Sequence, residues 1–359
     1  MAEIKDTFIP SLSNAPHIKT ADSISKVMWT VVIALLPVTA YGVSIFGLNS
    51  LLIILVSVAA AVASETAFQI LMKRKFSAFD GSAVLTGLLV ALNVPPAAPA
   101  WVAGIGSVFA IIIVKQLFGG LGYNIFNPAL AARAFMMASW PTEMTTKWHK
   151  FSGGNILSPE ITNVTKIPHE VFDIITQATP LSLLKEGPTF LKEYNIGIEQ
   201  LHDLLLTPEM LKAMFVGNAG GVIGETSALL ILIGGIFMMI RKVISWHIPL
   251  SYIGTMFGMT WLYYYSAGFP YPELLGLVHI ISGGLFLGAF FMATDMVTSP
   301  VTARGKIIFG IGCGVLTFTI RIMGGYPEGV SYAILLMNSA VPLLDRLTRA
   351  TVFGYNIHR

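Results

Sequence analysis

Apolar residues in this chain come in long unbroken runs, and polar residues gather between the runs. An α-helix needs about 20 mainly apolar residues to cross the hydrocarbon core of a bilayer. The pattern predicts ten such segments. Five lie at about 27–46, 51–72, 82–94, 100–118 and 127–140. A long polar stretch follows, about 141–222. Five more lie at about 226–240, 246–265, 274–293, 306–322 and 330–344. Several are short or interrupted; the third stops at Pro95-Pro96. The expected fold is an all-α polytopic membrane protein. Its expected parts are a polar N-terminal segment (1–26), a first membrane repeat (27–140), a polar loop (141–222), a second repeat (223–345) and a tail (346–359).

Composition strengthens this reading. Of the 359 residues, 54% are hydrophobic and only 11% charged, with mean hydropathy +0.72. Soluble domains carry about 25% charge, so two soluble domains are excluded, as are disorder and a coiled coil. Cys313 is the only cysteine. It excludes an intrachain disulfide and any cysteine cluster for zinc or iron–sulfur. The net charge of +3 is small, and no nucleic-acid partner is expected. Residues 1–26 lack the apolar core of a cleavable signal, so the first apolar segment is expected to stay as an anchor.

Lysine and arginine in short loops set orientation. Lys73-Arg74-Lys75, Arg241-Lys242, Arg304 and Lys306 fall on one side, with Arg346, Arg349 and Arg359 of the tail. The opposite short loops, near 47–50, 95–99, 266–272 and 323–329, have none. Arg321, beside one of them, is the exception. Both termini are therefore expected in the cytoplasm, with 141–222 outside.

The two halves also repeat a pattern. In each, the third segment is glycine-rich and interrupted: Asp80-Gly81-Ser82 to Pro95-Pro96, and Ser282-Gly283-Gly284 to Asp295 and Ser299-Pro300. In each, the fifth is short and holds an Asn and a Pro: Asn127-Pro128, and Asn338 with Pro342. Five crossings per half is an odd number, so the repeats must be inverted. Inverted repeats with broken helices build midplane sites in many transporters, although glycine and proline are common in membrane helices anyway.

Three stretches carry candidate chemistry. In the loop, Asp173-Ile174-Ile175-Thr176-Gln177-Ala178-Thr179-Pro180 places Thr179 before proline, which biases it to an extended conformation. On local sequence this also reads as an ordinary turn. Gly217 to Ser227 runs several glycines into a helix start, where Glu225 and Thr226 meet the positive end of the dipole and a phosphate-bearing ligand is accommodated. It lacks a Walker lysine, so an ATP site is not indicated. Third, Gly119-Gly120-Leu121-Gly122 leads to Asn127-Pro128, with Arg133 beyond it. A buried arginine in a membrane helix needs a partner, here an acid, a carbonyl cluster or a ligand; Glu65, Asp80 and Asp295 are the matching acids, although Asp80 and Asp295 also suit helix capping. His247 and His279 read as hydrogen-bonded core residues, and Cys313, among Gly310, Gly312 and Gly314, as close helix packing.

Taken together, the motifs resemble the RnfD/NqrB family of membrane subunits. The resemblance rests on Ala15-Pro16-His17, Asp80-Gly81-Ser82-Ala83-Val84-Leu85-Thr86-Gly87, Asn124-Ile125-Phe126-Asn127-Pro128-Ala129, Gly220 to Ser227 and Ala293 to Pro300. In that family a threonine ending an Asp-x-x-Ser/Thr-Gly-Ala-Thr motif carries FMN through a phosphoester, which implies Thr179 as the anchor, with Gln177 replacing the usual glycine. The short N-terminal segment favours the Rnf branch over the quinone-reducing one. The resemblance implies a component of an ion-translocating ferredoxin:NAD oxidoreductase that is inactive alone. It implies covalent FMN, a possible non-covalent riboflavin, coupling to Na+ or H+, and the partners RnfA, RnfB, RnfC, RnfE and RnfG. It implies an inverted-repeat fold similar to urea channels, in the bacterial inner membrane. An NqrB-like protein, a passive channel or transporter on the same fold, and a structural scaffold are the competing readings.

Overall fold

The computed structural model describes residues 23–74, 76–145, 181, 184–185, 206–217, 221–325 and 328–349. Asp173, Thr176 and Thr179 lie outside the described residues. All regular structure among the described residues is helical. The first half comprises α1 (Ile24–Phe46), α2 (Leu48–Leu71), α3 (Ser82–Leu92), α4 (Ala100–Phe109, continuing as a π-helix over Ala110–Gln116), α5 (Pro128–Ser139) and α6 (Pro141–Thr145). After α7 (Pro208–Val216) and a 3-10 turn at Ile223–Glu225, the second half comprises α8 (Ala228–Ile240), α9 (His247–Ser266), α10 (Pro272–Ile281), α11 (Leu285–Leu287), α12 (Ala303–Met323) and α13 (Val330–Leu347). The π-helix Gly288–Met292 extends α11.

Local chemistry fixes these boundaries. Asp80 Oδ1 accepts from the Ser82 backbone N–H (2.7 Å) and hydroxyl (2.5 Å), starting α3 just after left-handed Gly81. Asn127 Oδ1 accepts from Ala129 N (3.0 Å) and Leu130 N (3.3 Å), and Pro128 stands where no N–H is needed. The Thr302 hydroxyl accepts from Gly305 N (3.0 Å) at the start of α12.

Each of the ten apolar runs contains a helix, but among the described residues only α1, α2 and α12 are individually long and apolar enough to cross a membrane. The run at 274–293 is not one helix. It breaks at Ser282–Gly284, and its two parts meet at 62°. The Ser282-Gly283-Gly284 interruption marked in the sequence is where two positive-φ glycines, Gly283 and Gly284, turn the chain.

Packing follows small residues. The Ser57 hydroxyl donates to Gly87 O (2.7 Å), and a Cβ on Gly87 would sit 2.8 Å from Val58 Cα. In the second half, a Cβ on Gly314 would meet Thr255 Cβ at 2.7 Å, so α9 and α12 touch along their backbones. Cys313 is buried in this seam. Lipid supplies no hydrophobic drive between helices, so close backbone approach is what holds them. In the first half α2 packs on α3 and α4; in the second, α9 packs on α10 and α12. Across the halves α1 meets α8, and α5 meets α13. The core runs through both halves, from Leu35 and Leu92 to Phe291 and Ile334. Leu52, Leu55, Ile236, Leu262 and Ile308 are exposed around it.

Candidate functional site

Two buried polar clusters lie inside the bundle. One spans both halves, at the end where residues 141–222 join. Arg133, in the middle of α5, donates from Nη1 to Asn93 Oδ1 at the end of α3 (2.8 Å) and from Nη2 to the Glu328 carboxylate, in the turn before α13. Glu225 Oε1, from the 3-10 turn, lies 3.9 Å from Arg133 Nη1 and makes no hydrogen bond. Asp80, Glu65 and Asp295 are not the partners of Arg133. Asp80 caps α3, and Asp295 accepts from Val297 N (3.4 Å) and the Thr298 hydroxyl (3.2 Å) in its own turn.

Arg321, near the end of α12, completes this cluster. Its guanidinium donates to four backbone carbonyls: Glu328 (2.8 Å), His279, Ser282 (3.4 Å) and Gly283 (2.8 Å). Among the described residues it has no carboxylate in ion-pair range. Three of these carbonyls, those of His279, Ser282 and Gly283, lie at the break between α10 and α11, where a helix end leaves its last C=O groups without partners. The break is also bare of side chains. A Cβ on Gly284 would sit 2.5 Å from Glu225 Oε1, and one on Gly283 would sit 2.7 Å from Leu181 Cδ2 and 3.2 Å from Arg321 Nη2. Leu181 itself is buried.

Of the residues marked from sequence in this region, Glu225 faces the break. Thr226 does not; its hydroxyl closes the 3-10 turn by donating to Ile223 O (2.9 Å). Ile223 N bonds Val94 O (3.2 Å), tying this turn to the first half. His279 shares a hydrogen bond with Tyr264 (3.0 Å), and His247 stacks on Trp246.

The second cluster lies at the opposite end and wholly within the first half. Glu65 of α2 receives Lys115 Nζ on both oxygens (3.0 and 2.9 Å), Gln116 Nε2 (2.9 Å) and Gln69 Nε2 (3.2 Å). Lys115 also donates to the Ser82 hydroxyl (2.7 Å). Lys115 and Gln116 are consecutive. The wide i→i+5 turn, seen in Gly120 N bonding Lys115 O (3.0 Å), brings both to one carboxylate. Sequence reading passed over Lys115 and Glu328. A lone lysine within an apolar run was the available signal for the first. Glu328 showed only as a polar residue in a short loop.

Beside this second cluster opens a small cavity of about 80 Å³. Its lining includes Thr86, Lys115, Asn124, Asn127, Phe291 and Asp295. Asn127 Nδ2 donates across it to Met292 O (3.2 Å). With the Asn338 amide oriented to satisfy its neighbours, its oxygen accepts from Asn127 N (3.1 Å) and its nitrogen donates to Thr298 O (3.1 Å).

Among the described residues, fold and site together define a helical, multi-pass membrane protein with two buried charge clusters, one of them where its two halves meet. The chain belongs to the NQR2, RnfD, RnfE family, whose model matches residues 11–354. It is 42% identical over 354 residues to the D component of the proton-translocating ferredoxin:NAD(+) oxidoreductase complex of Clostridium ljungdahlii, covering 98% of each chain. It is 44% identical over 349 residues to the D component of the Na(+)-translocating ferredoxin:NAD(+) oxidoreductase complex of Acetobacterium woodii, covering 96% of this chain and 95% of that one. It is 42% identical over 340 residues to the D component of the ion-translocating oxidoreductase complex of Stutzerimonas stutzeri, covering 93% of each.

Proposed function

We propose that this chain is the RnfD component of an ion-translocating ferredoxin:NAD oxidoreductase complex in the bacterial cytoplasmic membrane. It works with RnfA, RnfB, RnfC, RnfE and RnfG and has no turnover alone. The observation that carries the reading is end-to-end similarity to three proteins named as that component. Relatives named for protons and for sodium stand at 42% and 44% identity, so the ion is set by features finer than overall similarity.

The ten helical segments form two inverted five-helix repeats. Three features support this. A short helix in each half follows left-handed glycine, at Gly81 and at Gly283-Gly284. Each half contains a π-helix. Packing is matched, α2 with α3 and α4 against α9 with α10 and α12. The termini face the cytoplasm and 141–222 lies outside, as the loop charges favour.

Thr179 anchors FMN through its hydroxyl, and Asp173 and Thr176 belong to the motif the attaching enzyme reads. The described residues fit such a group. Leu181, two residues on, is buried against a break where no side chain projects from Gly283 or Gly284. Bare backbone lets a ligand approach closely. FMN supplies one- and two-electron chemistry once bound. The protein's own share is to hold it on the outer side and to set its surroundings, with Glu225 facing the same break. A non-covalent riboflavin is proposed at the opposite end, where Lys115, Asn124 and Asn127 line a small cavity and offer polar contacts.

The test is expression with an active flavin transferase in a membrane host, followed by denaturing electrophoresis and mass analysis of the peptide containing Thr179. Flavin fluorescence that survives denaturation, and is lost in Thr179→Ala, is expected. No covalent flavin on the wild-type chain would move a passive channel on this fold to first place.

A further inference from the structure

The same pair of backbone bonds closes four helical segments, and the residue at its tightest point is not the same in each. After α2, Lys73 N bonds Ile70 O (3.2 Å) and Arg74 N bonds Gln69 O (2.9 Å). After α8, Lys242 N bonds Met239 O (3.0 Å) and Val243 N bonds Met238 O (2.9 Å). After α9, Gly268 N bonds Tyr265 O (3.2 Å) and Phe269 N bonds Tyr264 O (3.1 Å). After the π-helix that extends α4, Gly119 N bonds Gln116 O (3.1 Å) and Gly120 N bonds Lys115 O (3.0 Å). Such a cap needs positive φ at the residue just past the helix, and glycine is its usual occupant. At Gly119 φ is +126° and the Tyr123 ring stands 3.2 Å from where a Cβ would be. At Gly268 φ is +74° and a Cβ would meet nothing within 4 Å, yet glycine stands there. The other two caps hold lysine instead, at φ +50° (Lys73) and +58° (Lys242).

Left-handed backbone is unfavourable for a residue with a Cβ, so these two lysines point to a use for the side chain. Attraction to the helix dipole does not account for them. It acts equally at the end of α9, where space is open and glycine serves. α9 starts at His247, just past Lys242, and so ends on the opposite face. Internal pairing does not account for them either. Among the described residues neither lysine has a carboxylate in ion-pair range. The acids on their side are engaged locally: Asp80 by Ser82, Asp295 by Val297 and Thr298, and Asp345 by Val301 N. Both ammonium groups are exposed, as is Arg241. Directly before them Ile70, Leu71 and Ile240 are exposed too. An outward apolar last turn followed by an exposed cation matches an acyl chain followed by a headgroup.

We propose that Lys73 and Lys242, the latter with Arg241 beside it, are docking points for the headgroup phosphates of anionic phospholipids. Each left-handed cap ends the helix abruptly and sets its lysine where apolar surface gives way to polar chain. The occupant is lipid rather than an acidic soluble protein, because the cations stand at the edge of apolar surface that acyl chains cover. Arg74 is a lesser contributor, since its guanidinium already donates to Gln116 O (3.1 Å) and lies over Phe68.

The experiment follows thermal unfolding of the full chain in neutral detergent titrated with phosphatidylglycerol or phosphatidylcholine. Phosphatidylglycerol is expected to raise Tm by a few degrees, and phosphatidylcholine to leave it unchanged. Lys73→Gly and Lys242→Gly are expected to hold or raise Tm in neutral detergent, because glycine suits left-handed backbone. Each is expected to need about fivefold more phosphatidylglycerol for half of the rise, whereas lysine→arginine at either position keeps the response. A double glycine variant with the wild-type response to phosphatidylglycerol would overturn the proposal. So would a lower Tm of the glycine variants in neutral detergent, which would mean that the lysines serve the helix ends themselves. An equal rise with soluble glycerol phosphate would make this a free-anion site instead. An unchanged lipid response with loss of co-purifying protein partners would make it a protein-docking face.

Discussion

The two buried charge clusters both combine acid, base and amide side chains, one with a lysine and one with two arginines, and differ in how completely they are satisfied. At Glu65 both carboxylate oxygens are bonded, and Lys115 has three acceptors. Every member comes from α2, the approach to α3, α3 or the π-helix after α4. The cluster around Arg133 and Arg321 draws instead on α3, α5, the 3-10 turn, the break, α12 and the turn before α13. Among the described residues it retains a carboxylate oxygen without a hydrogen bond, on Glu225, and the Arg321 guanidinium bonds backbone carbonyls in place of a carboxylate. A saturated network fixes a structure, because any change leaves a buried group unpaired. An unsaturated one, shared by two halves, has capacity left for a ligand.

The largest expected effect in the saturated cluster comes from Lys115→Met. It strands the Glu65 charge, and removing one partner of a buried pair costs about 3–5 kcal/mol. Unfolding in mixed micelles should show this. Adding Glu65→Leu should restore most of the loss, because an apolar pair of similar volume often replaces a buried ion pair without penalty. A double variant as unstable as the single one would mean that the pair is not an isolated rivet.

Glu328→Gln comes next. It weakens a charge-assisted bond to Arg133 but leaves an amide in its place, for a loss of about 1.5–3 kcal/mol by the same measurement. The smallest effect is expected for Glu225→Gln, because Glu225 Oε1 makes no hydrogen bond and its ion pair with Arg133 is long, at 3.9 Å. A stability change below about 1 kcal/mol is expected. A larger loss would place Glu225 with Glu65, as a fully engaged structural acid, and would erase the contrast between the clusters.

Much of the fold was legible because apolar length is a local property. Each run contains a helix, and the capping residues Asp80, Asn127 and Thr302 act on N–H groups two or three positions away. The glycine pair 283–284 was visible as an interruption, yet the 62° bend was not, since a bend depends on what packs against each arm. In the site, sequence marked Arg133, Glu225 and the glycines. It named Glu65, Asp80 and Asp295 as matching acids for Arg133 and passed over Glu328, because acids at similar depth in the membrane cannot be ranked without knowing which helix faces which.

By itself, then, the chain's sequence determined that it is helical, apolar enough for a membrane, and of the family its motifs spell out. These follow from composition, run length and motif order, all of which are set by neighbours along the chain. Only the tertiary structure decided that Arg133 belongs to Glu328 and Asn93, 195 and 40 positions away. Only it decided that Lys115 belongs to Glu65, and that Arg321 sits among carbonyls beside Leu181. Pairing of buried charges depends on distance in space and on shielding from water, and neither quantity exists until the helices have packed.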